Sequence, residues 1–117
     1  MSDVGVHSLP ITLQGANEPE LRALLGLVKR PTAGTTTALA TGVDLRVEEA
    51  LESRGMAGSE MIISGVVTIF TSVAAPLLVE WLKTKIEPRR NEVTIIIRDE
   101  VIKDFSEASL RRLIGLP

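Results

Sequence analysis

Residues 61–79 read MIISGVVTIFTSVAAPLLV, nineteen positions without a charge, bounded by Glu60 and Glu80. Whether this run crosses a membrane or forms the buried centre of a globular domain decides the fold. Ser59 can cap a helix and Glu60 suits its first turn, while Pro88 lies beyond the other end. The spacing therefore predicts a helix over about 59–86. Nineteen helical residues rise roughly 28 Å, close to a hydrocarbon core of about 30 Å. The flanks speak against a span. Asp44, Glu48, Glu49 and Glu52 precede the run, and Lys83, Lys85, Arg89 and Arg90 follow it. Positive charge stays inside, so a span would export the first sixty residues, a charged segment with an amphipathic helix. On a helix, Ser64, Thr68, Ser72 and Ala75 make a small-residue side, and Ile62, Val66, Ile69, Val73 and Leu77 an apolar one. That asymmetry suits a helix packed on a sheet. The expectation is a buried crossover helix; the alternative is a small single-span or membrane-perturbing protein with 61–79 in the bilayer.

Strand signals lie on both sides. Leu9, Ile11 and Leu13 alternate, with Pro10 marking a strand start or edge. Val43, Leu45 and Val47 alternate, and EEALES either continues that strand or turns helical. Val93, Thr94, Ile95, Ile96 and Ile97 are five consecutive β-branched residues, expected in a central strand covered on both faces. Arg98, Asp99 and Glu100 can turn the chain into a short strand, VIKDF. In NEPELRALLGLVKRP, Asn17 caps a helix whose stripe is Leu21, Leu24, Leu25 and Val28, and Pro31 ends it. Residues 31–42 read as a flexible loop. Ser106 caps a last helix with Ala108, Leu110, Leu113 and Ile114 inward. The fold class that follows is α+β in a single domain, 1–117: a small three- to four-stranded sheet with βαβ crossovers and one long apolar helix.

A 27-residue helix is roughly 40 Å long, against about 18 Å for a short strand. The excess must kink at Pro76 or project. If it projects, Leu78, Trp81 and Leu82 need cover from another chain, so they are the interface candidates, with Lys85, Arg89 and Arg90 beside them. A homo-oligomer is the expected state.

Composition narrows the function. Net charge is −2 with one Trp, two Phe and no Tyr, which disfavours nucleic acid. There is no Cys, so thiol chemistry is excluded. His7 stands alone, and Glu48, Glu49, Glu52, Asp99 and Glu100 read as solvated charge rather than a hydrolytic pair or metal site. No nucleophile elbow, dinucleotide fingerprint or P-loop occurs. No enzyme, cofactor or metal is expected. MSDVGVHSLPITL has no secretory character, so the expected address is the cytoplasm, or the inner membrane under the alternative.

Several stretches together resemble one family. They are PEL at 19–21, RVEEALESRGMAG, LLVEWLKTK, VTIII and SEASLRRLI, within residues 18–114. The chain resembles the effector-associated constant component family (EACC) of bacterial conflict systems. The resemblance implies a small non-catalytic accessory or adaptor protein of antiviral defence, encoded beside effectors such as proteases, with no catalytic residues to carry over.

Overall fold

Met61, Ile63, Gly65, Val67 and Ile69 are buried, and Ile62, Ser64, Val66 and Thr68 between them are half-buried. That period of two is a strand's, and in the computed structural model residues Gly58–Ile69 are a strand, not a helix. The structure describes residues 7–15, 17–55 and 58–115. Six of the nine residues 61–69 are β-branched, which restricts side-chain rotamers in a helix and suits a pleated surface. Phe70 and Thr71 then break the run, a 3₁₀ turn occupies Ser72–Ala74, and a short helix begins at Ala75. The expected helix over 59–86 is therefore corrected to a strand followed by a separate helical segment. Pro76 sits in the first turn of that segment, where its missing N–H costs nothing, so it starts a helix rather than kinking one. Ser72, expected to be packed, is exposed.

The strands are β1 (His7–Gln14), β2 (Thr36–Ala40), β3 (Val43–Gly55), β4 (Gly58–Ile69), β5 (Thr94–Ile97) and β6 (Glu100–Val101). They form one six-stranded sheet in the order β2-β3-β4-β1-β5-β6, with every neighbouring pair antiparallel. The expectation of three or four strands joined by βαβ crossovers is overturned, because no described pair is parallel. Residues 31–42, read as a loop, contain β2. EEALES continues β3.

β1 lies inside the sheet rather than at its edge. Pro10 is accommodated because its carbonyl accepts from Arg98 N–H at 3.2 Å, so its missing N–H points to the side where β5 has already ended. β5 is not covered on both faces: Val93, Ile95 and Ile97 are buried, while Thr94 and Ile96 lie half-buried on the other side. Between β5 and β6, Arg98 (φ 54°) and Asp99 (φ 65°) form a two-residue turn with both residues left-handed. This type I′ geometry matches strand twist, but asparagine and glycine adopt it more cheaply.

α1 (Glu18–Leu24) starts as expected, with a full capping box between Asn17 and Glu20. It ends three to four residues earlier than the stripe to Val28 implied. Gly26, at φ 70°, lets its N–H reach Ala23 O at 3.1 Å and the Leu27 N–H reach Arg22 O at 2.9 Å. This pair of bonds is a Schellman stop, and it leaves Val28 89% exposed. α2 (Ala75–Trp81) continues through a π turn, Leu82–Ile86, and a 3₁₀ turn, Glu87–Arg89. α3 (Glu107–Ile114) is capped by the Ser106 side chain, which accepts from Ser109 N–H. Leu110 and Ile114 face inward as expected, Leu113 is half-buried and Ala108 is exposed.

One continuous core joins the alternate strand residues Leu9, Ile11, Leu13, Val43, Leu45, Val47, Met61, Ile63, Val67, Ile69, Ile95 and Ile97 to the helices. Along β1, β3, β4 and β5 only one side contributes, so the helical layers lie on one sheet face. The other face is left uncovered by the described residues.

Candidate functional site

The pairing registers specify the uncovered face row by row. One row runs Thr36, Arg46, Val66, Pro10. A second runs Ala38, Asp44, Thr68, Ser8. A third runs Glu49, Ser64, Thr12, Ile96, Val101, and a fourth Leu51, Ile62, Gln14, Thr94. Within these four rows β4, β1 and β5 carry no charge; Glu60 lies beyond them at the start of β4. The residues of these strands there are small hydroxyls and β-branched aliphatics around Pro10. In the four rows the charges are on β3, at Asp44, Arg46 and Glu49. Thr12 and Ser64 approach to 3.5 Å across the central pair, the longest reach of a hydrogen bond.

The interface candidates fall elsewhere. Leu78, Trp81 and Leu82 are 1%, 6% and 0% exposed, and they belong to the core between the helices and the sheet. They are not a free stripe. The reason is the shortened helical segment: with no protruding half, its apolar side packs entirely on its own sheet. Lys85, Arg89 and Arg90 are exposed, but the two arginines turn back on their own helix end. Arg89 donates to Lys85 O at 2.8 Å and Arg90 to Glu87 O at 3.0 Å. Cations at a helix C-terminus complement its free carbonyls in this way.

Lys85 and Arg89 also line a cleft of about 280 Å³ with Glu20, Leu24 and Glu92. Its walls carry both signs of charge, so it offers no single-sign field for a small ion. The acids considered for chemistry are not gathered. Glu48 and Glu49 are exposed on β3, Glu52 pairs with Arg30, and Asp99 and Glu100 sit at the β5–β6 turn. Among the described residues no three His, Asp or Glu side chains are grouped to hold a metal ion. His7 is exposed at the start of β1. The carboxyl of Asp104 is held below its ordinary value by hydrogen bonds from the Ser109 hydroxyl, at 2.6 Å, and from Ser106 N–H. These bonds brace the start of α3. No described helix is long and apolar enough to cross a membrane.

Compared with known proteins, the chain matches no family, no curated protein and no solved structure. The open face was missed in the sequence because Ser64 and Thr68 were assigned to a helical stripe. Read as a strand, the same residues alternate with the buried set and mark the outer face directly.

Proposed function

We propose that this chain is a non-catalytic accessory or adaptor protein of a bacterial conflict system, working in the cytoplasm and binding an effector protein through the open face of its sheet. The observation that carries the reading is the uncharged centre of that face. Ile62 and Val66 on β4 and Ile96 on β5 flank β1, which sets Pro10 and Thr12 between them. A surface of this kind loses little solvation on contact and is suited to an apolar surface on another protein. The conflict-system setting rests on the resemblance of PEL, RVEEALESRGMAG, LLVEWLKTK, VTIII and SEASLRRLI to that family. The effector, protease-type or other, is the class of partner that resemblance implies.

Co-expression with the effector encoded beside the chain tests the reading. The two proteins should co-purify, and Val66→Asp or Ile96→Lys should abolish this without unfolding the chain. Co-purification that survives both substitutions would refute the open face as the binding surface. A failure of the unaltered proteins to associate would refute the adaptor role.

A further inference from the structure

The two edges of the sheet are built differently. β6 is two residues long and carries Glu100, and short charged edges resist pairing. β2 reads Thr36-Thr37-Ala38-Leu39-Ala40, and no charge occurs from Pro31 to Gly42. The Thr35 carbonyl accepts from Val47 N–H at 2.7 Å and so points toward β3. The trans peptide then aims Thr36 N–H the opposite way. The period of the strand does the same for Thr36 C=O and for both main-chain groups of Ala38. Thr36 and Ala38 thus present donors and acceptors to the free edge, and both residues are exposed.

The geometry points to this edge as a self-pairing site: β2 joins β2 of a second copy, antiparallel, about a two-fold axis at Thr37, so that two sheets become one. Two independent features select that register. An axis at Thr37 sets Thr36 opposite Ala38 of the second copy, and these are the residues whose hydrogen-bonding groups point outward. It also matches charge. Thr36 is in register with Arg46, and Ala38 with Asp44. The axis therefore lays Arg46, Thr36, Ala38 of the second copy and Asp44 of the second copy along one row. The two-fold repeats that row with the copies exchanged. Three strand spacings separate the charged residues by about 14 Å, and the extended side chains nearly close that distance over the small Thr and Ala. Shifting the axis to Thr36 would align Arg46 with itself, and shifting it to Ala38 would align Asp44 with itself. Like charges in one row disfavour both. Neither side chain has an ion-pair partner among the described residues. A second copy is the occupant because it supplies both signs at matching rows. The register shift between Ala38 and Ala40 limits the straight edge, so the contact is small and the dimer forms in the micromolar range or weaker.

Sedimentation equilibrium of the full chain, run from micromolar to near-millimolar concentration, tests this. The expected species is a dimer of twice 12.6 kDa. Asp44→Arg and Arg46→Asp should each weaken dimerisation about tenfold, and the two combined should restore it, because the swap only inverts each row. Ala38→Pro should remove dimerisation, since it deletes an outward N–H and no bond to β3. Ile96→Lys, which tests effector binding and lies on β5 in a row without Arg46 or Asp44, should leave the dimer intact. A monomer throughout the range would overturn the proposal. So would single reversals without effect, or a double variant that stays as weak as either single one. Circular dichroism melts on every variant separate lost pairing from lost folding.

Discussion

The two faces of β4 share one backbone and opposite fates. Met61, Ile63, Val67 and Ile69 lie against the helices with 0–1% exposure, while Ile62, Ser64, Val66 and Thr68 face outward with nothing described above them. The covered face is filled with large aliphatics and accounts for stability. The open face mixes hydroxyls with aliphatics, a composition that tolerates water and still suits a partner. Val66 and Val67 are chemically identical neighbours, so their difference is one of placement alone.

That difference can be broken directly. Val67→Asp should unfold the chain or cost more than about 4 kcal/mol, because it buries a carboxylate without a partner. Val66→Asp should cost about 1 kcal/mol or less, with Arg46 in register beside it. Urea denaturation of both variants makes the comparison, and equal losses would erase the distinction between the faces. Trp81→Ala comes next, at about 3–4 kcal/mol by the same method, the cost of a core cavity. A loss below about 1 kcal/mol would return Trp81 to the surface. Gly65→Ala should cost about 2 kcal/mol, because a Cβ there would lie 2.3 Å from the Arg46 carbonyl oxygen, next to the register shift in β3. The smallest effect belongs to Asp104, whose folded carboxyl titrates below its ordinary 3.8. Its contribution is full above that value and is lost as pH falls through the lower folded one. Asp104→Asn should flatten the acid limb of a pH–stability curve slightly; an unchanged limb would remove the bracing role of Asp104.

Part of the fold was legible in the residues. Asn17 with Glu20, Ser106, and the alternations at 9–13 and 43–47 encode their structure locally, through caps and period, and local signals survive folding. VTIII declared a strand by β-branching alone. The 61–79 run did not, because a charge-free stretch satisfies helical and strand periods at once and its length favoured the helix. The weight lay in Ile62, Ile63, Val66, Val67, Thr68 and Ile69, whose branching argued for a strand as VTIII does. Gly26 was a second missed signal: a glycine inside an apolar stripe stopped α1 before Val28. β2 has no periodic signal at all, and its strand state follows from pairing with β3. The open face could not be read until β4 was known to be a strand.

The Arg98–Asp99 turn has a consequence for solubility. Two left-handed residues without glycine hold about 1–2 kcal/mol of strain, and straightening the turn releases it. β6 is held to β5 by the Ile96↔Val101 and Ile97↔Glu100 pairs, with the Ile102 N–H donating to Ile95 O at 2.9 Å. It is therefore the part of the sheet that detaches at least cost. Detachment bares the outer hydrogen-bonding row of Val93–Ile97, an uncharged β-branched run of the kind that seeds intermolecular strands. The turn is a latch over that run, and opening it would expose an aggregation-prone strand before the core opens.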